Sequence, residues 1–265
     1  MPDHGHTTDA AARAVRGGRT SAAGTALEKS MRILEAVAAH GGPHRLTDVV
    51  AAAAVPKSST FRILASLIEQ GFVRLEGGAR YGVGPRLRTL SALVGEGEPQ
   101  SIGRILGELR EAAGHTVHLA LHSGETLTYI RKLEGDHPFR TASRVGMRMP
   151  LHSTAIGKAI LAHLPEEEVR ALIAGAGLPR RTPRTLTGPE ELLAELDAVR
   201  ARGFAVDDEE NEPTIRCIGA AVLDPEGRPI GGVSVTTVTF LVSREEIEAY
   251  APALRAAAEA LAPLL

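Results

Sequence analysis

VPKSSTFRILASLIEQGFVRLEGGARYGV, residues 55–83, decides how the first third of the chain folds. Pro56 breaks whatever precedes it, and Lys57-Ser58-Ser59 opens a helix that runs to Gln70 and is closed by Gly71. Phe61, Leu64, Ala65 and Ile68 recur at helical spacing and form the expected inward stripe. Ser58, Ser59, Arg62 and Ser66 fall on the other side, with no acid until Glu69. Two short alternating runs follow, Phe72–Glu76 and Arg80–Val83, around Gly77-Gly78, which reads as a hairpin.

Working outward toward the N-terminus, Leu27, Met31, Leu34 and Val37/Ala38 make a first amphipathic helix, stopped by Gly41-Gly42-Pro43. A short second helix has Thr47 as its expected N-cap and packs Val49, Val50 and alanines inward before Pro56 ends it. Helix, helix, helix, hairpin is the order of a winged helix-turn-helix, assigned to residues 27–83. On an isolated helix, a polar face of this kind is ordinarily just solvated. Here the preceding helix, the tight Val55-Pro56 turn and the basic hairpin make it a face for the DNA major groove. The expected DNA-binding set is Lys57, Ser58, Ser59, Thr60 and Arg62. Arg62 can address guanine, while Lys57 and the hydroxyls hold phosphates.

The charge distribution agrees. The formal charge is −2, yet residues 1–95 hold 12 Lys/Arg against 7 Asp/Glu, and the remainder holds 18 against 25. Only the first third is suited to a polyanion. Hydrophobic content of 43% is enough for a proper core, but with 3% aromatics and no Trp it must be built from Ala, Leu and Val. A single cysteine, Cys217, excludes an intrachain disulfide and fits a reducing, cytoplasmic setting. No apolar run reaches the roughly 20 residues that a bilayer demands, and no membrane role is expected. Residues 1–26 read as a disordered tail in which His4 and His6 are solvated.

Residues 84–98 read as a linker helix fraying into a Gly/Pro-rich joint, and residues 99–265 as a second domain. Ile102–Ala113 is amphipathic; His115–His122 alternates, with Val117, Leu119 and Leu121 on one face and His118, Ala120 and His122 on the other. Ser123-Gly124 turns this strand into Thr126–Glu134. Ser153-Thr154 caps a helix Ala155–Leu164, Pro165 with three glutamates starts another, and Pro189–Arg202 is a third. Strands Cys217–Leu223 and Pro229–Thr237 flank the turn Asp224-Pro225-Glu226-Gly227, and Ser243 with Glu246 makes a capping box for the terminal helix. The fold class is α+β: the winged helix-turn-helix plus a sensor domain on an antiparallel sheet.

These blocks in this order resemble the IclR family of bacterial regulators. The likeness rests on LEKSMRILEAVA, VPKSSTFRILASLIEQGFVRLE and RYGVGPRL in the first domain. In the second it rests on LEGDHPFRTASRVGMRMPLHSTAIGKAILAHLPEEE, GFAVDDEENEPTIRCIGAAVLDPEGRPIGGVSV and SREEIEAYAPALRAAAE. One departure is Ala54-Val55 before Pro56, where the family more often has Gly, which implies a stiffer turn. The resemblance implies a GAF/PAS-like effector-binding domain, a linker helix that dimerises, homodimers or dimers of dimers, a double-stranded DNA operator and a small-molecule effector. It also implies an effector pocket, which in this chain would comprise Ala155, Ile156, Asp207, Cys217, Ser234 and Thr236. Free N–H groups at the start of the Ser153–Leu164 helix would attract a carboxylate. Asp207 would accept from a hydroxyl or hydrated carbonyl, and Ser234 and Thr236, two apart on a strand, share one face. Cys217 is expected to pack rather than react. A small oxygenated or aromatic carboxylic acid is the implied effector class, with no cofactor and no metal.

A sensor or hydrolase-like enzyme without DNA binding is the alternative. It would use His152, Ser153 and Asp207 as a triad, or Gly232-Val233-Ser234-Val235-Thr236 as a nucleophile elbow. The elbow lacks its final Gly and sits inside a strand, and a helix cap accounts for Ser153. Asp207-Asp208-Glu209-Glu210 lacks the Gly and alternation of a calcium loop, so it reads as a solvated acidic turn. No catalysis is expected.

Overall fold

A computed structural model describes residues 24–39, 43–87, 89–90 and 99–265. Two compact units, residues 1–94 and 95–265, divide the chain. The expected tail and most of the expected linker helix lie outside the described residues; residues 85–87 and 89–90 are helical. Among the described residues no helix is long and apolar enough to cross a membrane.

The first unit contains α1 (Ala26–Ala38), β1 (His44–Arg45), α2 (Leu46–Ala53), α3 (Lys57–Glu69), β2 (Val73–Glu76) and β3 (Arg80–Val83). The hairpin pairs Val73 with Val83 and Glu76 with Arg80, as its alternation required, and β1 adds a third strand on the far edge of β3. Ile33, Val37, Val49, Val55, Leu64, Leu67, Val73 and Tyr81 form the core.

Three sequence expectations are corrected here. Leu27 and Met31 are exposed, and Ile33 and Ala36 take their place in the buried stripe of α1. Thr47 lies inside α2; the cap is Arg45, whose N–H donates to Asp48 Oδ2 at 2.9 Å. On α3 the buried line is Thr60, Leu64 and Leu67, so Phe61 and Ala65 lie outside. Thr60, expected at DNA, does not face outward. It is fully buried, and its hydroxyl bonds to Val55 O and Pro56 O, which makes burial affordable without a solvent contact.

Ala54 ends α2 in the left-handed region, φ 50° and ψ 42°. That conformation costs a β-carbon roughly 1–2 kcal/mol, against about 0.5–1 kcal/mol of extra chain entropy for glycine. Ala54 is exposed, so no packing is at stake. Ala54→Gly is expected to stabilise the first unit by about 1 kcal/mol, read as a higher urea midpoint with an unchanged slope; a lower midpoint would show that the turn is not strained.

In the second unit, α4 (Pro99–Ala113) precedes β4 (Thr116–Ser123), β5 (Thr126–Leu133) and β6 (Arg148–Pro150). Next come α5 (Ala155–Leu161), α6 (Glu166–Ala176) and α7 (Pro189–Arg202), then β7 (Ala205–Asp208), β8 (Ile215–Leu223), β9 (Pro229–Val238), α8 (Arg244–Glu248) and α9 (Ala251–Leu261). The strands form one antiparallel sheet in the order β6-β5-β4-β9-β8-β7. Period-2 alternation sorts its side chains. Val117, Leu119, Ile218, Val233 and Val235 join the core shared with α4 and α9. The opposite face meets α5 and α7 through Ala120, Leu127, Tyr129, Ile156, Leu192 and Leu196. Gly219 allows the start of α5 to lie directly on β8, since a β-carbon there would stand 2.6 Å from Ala155 C.

Candidate functional site

On α3, Lys57, Ser58, Phe61, Arg62, Ala65 and Ser66 are exposed, while Ser59 is half-buried. Four of the five residues expected at DNA therefore lie on or near one outward face, and Thr60 does not. Phe61, 59% exposed, stands in that face beside Arg62. Apolar spacing alone places it in the core, because Leu64 belongs equally to either stripe.

In the second unit, Ala155, Ile156, Asp207, Cys217, Ser234 and Thr236 all line a single cavity of about 40 Å³ between α5 and the sheet. Strand register brings them together. Asp207 opposes Cys217, Cys217 opposes Thr236, and Ser234 lies between Gly219 and His118 on the flanking strands. The cavity also receives His118, Tyr129, Ser143, Thr154, Asn211 and Glu212, which are not in the pocket that the family resemblance implies. His118 lies on the strand face that alternation predicts for it. Only the pairing of β4 with β9 shows that this face adjoins Ser234 and Thr236.

The cavity is closely wired. Asp207 Oδ1 accepts from the N–H groups of Glu210 (2.8 Å) and Asn211 (3.2 Å). Burial pushes the Asp207 carboxyl up to about 7, aided by the Glu210 carboxylate and opposed by those N–H groups and Lys158. Near neutrality it is divided between acid and carboxylate, so it can donate as well as accept. His118 is buried and stacks on Tyr129 with centroids 4.5 Å apart. Burial, with the nearby Lys132 charge, lowers its pKa to about 3, so the ring stays neutral. Burial raises the Cys217 thiol well above its ordinary range, which makes it a poor nucleophile; Thr236 Oγ1 lies 3.3 Å from both Cys217 Sγ and His118 Nδ1.

Ser143, from the segment between β5 and β6, lines one side. Ser143 Oγ meets His118 Nε2 at 2.8 Å, and Lys132 Nζ donates to Thr141 O and Ser143 O. At the start of α5, Thr154 Oγ1 accepts from Gly157 N–H at 3.1 Å, so one of the donors expected to face a ligand is already occupied.

The enzyme alternative loses its geometry. His152 Nε2 bonds to Pro179 O and Ser153 Oγ donates to Asn211 Oδ1, while Ser234 sits within β9 rather than at a strand-to-helix turn. The acidic run diverges. Asp207 faces the cavity, Asp208 pairs with Arg184 and Arg216, Glu209 with Arg184, and Glu210 with Lys158.

Comparison with known proteins gives two family matches: the IclR helix-turn-helix domain over residues 26–77, and the bacterial transcriptional regulator IclR C-terminal domain over residues 99–262. The chain is 34% identical over 216 residues to the HTH-type transcriptional regulator KdgR of Escherichia coli, covering 80% of this chain and 82% of that one. It is 33% identical to XynR of the same organism, covering 90% and 96%. Among solved structures, the Thermotoga maritima IclR superposes with a TM-score of 0.65 at 34% identity, covering 89% of this chain and 97% of that one. An IclR homologue from Microbacterium hydrocarbonoxydans, complexed with 4-hydroxybenzoate, shares the fold with a TM-score of 0.74 at 21% identity, covering 91% and 99%.

Proposed function

This chain belongs to the IclR family of bacterial transcriptional regulators, with a helix-turn-helix and a C-terminal effector-binding domain, and from that premise we propose that a small carboxylic acid held in the α5–sheet cavity sets its affinity for an operator. The observation that carries this reading is the convergence of Asp207, Ser234, Thr236 and His118 on one cavity. A carboxylate of the effector is recognised there by hydroxyls and by the protonated form of Asp207, and a hydroxyl or hydrated carbonyl by its ionised form. About 40 Å³ has room for roughly three waters, the bulk of a small 2-oxo or hydroxy acid. A larger aromatic acid, such as the one bound by the Microbacterium homologue, requires the Ser143 segment to open.

Effector control requires different affinities for two states of the protein; tight binding to both would regulate nothing. The proposed states differ in the spacing of two DNA-binding units in a homodimer or dimer of dimers joined through residues 84–98. The operator is accordingly two-fold symmetric, with half-sites about one helical turn apart or a multiple of it. Calorimetric titration of the full chain with pyruvate and with 4-hydroxybenzoate, paired with operator binding in the presence and absence of each, tests the scheme. Saturable binding of one acid that shifts operator affinity supports it, and binding unaffected by both Asp207→Asn and Ser234→Ala would displace the site.

On the DNA side, Arg62 reads a base and Phe61 packs on a thymine methyl. Arg62→Ala is expected to weaken operator binding by about 1–3 kcal/mol and to relax preference at one position. Lys57→Ala is expected to weaken all sequences alike and to lower the salt slope by about 1. Footprinting and salt titration distinguish the two, and an Arg62→Ala variant with unchanged operator affinity would overturn the assignment.

A further inference from the structure

A second cavity, of about 220 Å³, lies beyond β6 and shares only one wall with the first. Its floor is Leu151, Leu161 and Leu192, all buried. Its sides are Leu172 and Ile173 of α6 and Leu178 of the following turn, which are only partly covered. These are apolar surfaces that a guest would take out of water. His152 also lines the cavity, but burial lowers its pKa and Nε2 is engaged by Pro179 O, so it brings no cation inside.

Charge stands at the rim alone. Arg148, on β6, is exposed, and its Nε and Nη2 both reach Thr126 Oγ1, at 3.3 and 3.2 Å, which holds the guanidinium beside the mouth. Among the described residues no carboxylate lies within ion-pair distance of it. Glu125, the acid of this rim, comes within 3.0 Å of where a β-carbon on Gly175 would stand, on the α6 side. An apolar hollow with a fixed, unpaired guanidinium at its lip matches an anion with an apolar tail. Pockets for drug-sized ligands run to about 300–1,000 Å³, so the guest is smaller than that.

We propose that this cavity is a second ligand site, for a medium-chain fatty acid carboxylate, with the tail among Leu172, Ile173 and Leu178 and the head on Arg148. Met149, on β6 between Arg148 and Pro150, lines both cavities and is their common wall. A guest in one site therefore alters the shape available to a guest in the other, and the coupling is reciprocal.

Calorimetric titration of the full chain with octanoate tests the proposal, with octylammonium as the tail of opposite charge. The expected result is saturable octanoate binding that is absent or at least tenfold weaker for octylammonium. Leu172→Trp, which fills the hollow from a partly exposed position, is expected to weaken octanoate binding at least tenfold, and Arg148→Met several-fold. Ser234→Ala, in the first cavity, is expected to leave it within twofold. No octanoate binding, equal binding of octylammonium, or loss in Ser234→Ala with retention in Leu172→Trp and Arg148→Met would overturn the proposal; the last result places the acid in the first cavity. Sedimentation of Leu172→Trp supplies a further arm: a lowered oligomeric state without any octanoate binding would make the hollow an interface between copies and would equally overturn it.

Discussion

Lys158→Met is expected to destabilise the chain by about 3–5 kcal/mol, because it leaves a buried carboxylate without its cation. Lys158 is 1% exposed on a helix, α5, that is buried along its whole length. Its Nζ lies 2.5 Å from Glu210 Oε1 and 3.5 Å from Glu195 Oε1, and Glu195 is also held by Arg202 at 2.7 Å. Glu210 is the vulnerable partner. Its Oε2 is buried with no hydrogen-bond partner, and burial raises its pKa even though Lys158 acts in the opposite direction. Removing the ammonium while keeping the volume leaves that carboxyl to protonate or to drag in water. Adding Glu210→Gln to Lys158→Met removes the charge and is expected to recover much of the loss. Urea unfolding at pH 7 measures both; a Lys158→Met variant within 1 kcal/mol of the parent would show that the ion pair does not hold α5 on the sheet.

Asp207→Asn is expected to act in two opposed ways. The folded-state pKa of Asp207, about 7, lies above its ordinary value of 3.8, so the folded chain binds more protons than the unfolded chain between those limits. The contribution of this group is therefore present in full below about pH 4 and is lost as pH rises through 7. The substituted amide stays neutral and keeps an oxygen for the Glu210 and Asn211 N–H groups. The variant should be more stable than the parent above neutral pH. The gap should open between pH 4 and 8 and level off beyond, with about 4 kcal/mol as its ceiling. Effector binding should move the other way, weakening tenfold or more, since a hydrogen bond to a charged group contributes about 1.5–3 kcal/mol. Unfolding midpoints from pH 4 to 9, paired with calorimetry, read both effects. Parallel pH profiles for parent and variant would show that Asp207 does not titrate in this range. Unchanged effector affinity in both Asp207→Asn and Ser234→Ala would move the effector out of the cavity.

Most of the element inventory was legible in the sequence because its signals are local. Ser243 and Glu246 cap α8 across three residues, Pro189 opens α7 and Gly203 ends it, and the turns at Gly77-Gly78, Ser123-Gly124 and Asp224–Gly227 separate strands whose alternation set their faces. The same alternation placed Ser234 and Thr236 together, and the family resemblance supplied Asp207, Cys217 and the start of α5. What the sequence could not carry depends on partners far along the chain. Thr60 and Phe61 exchange places because burial is decided by what α3 packs against, and a satisfied hydroxyl can be buried where an apolar ring is not. His118 and Ser143 reach the cavity only through the pairing of β4 with β9 and the return of the 134–147 segment, contacts spanning 25 to 118 residues. Lys158 becomes a buried cation only when Glu210, 52 residues away, closes over it, and no local signal marks it. Capping, turn chemistry and strand period act within a few residues and are written locally. Strand order, burial of polar groups and shifted ionisation follow from non-local packing, and only the folded chain determines them.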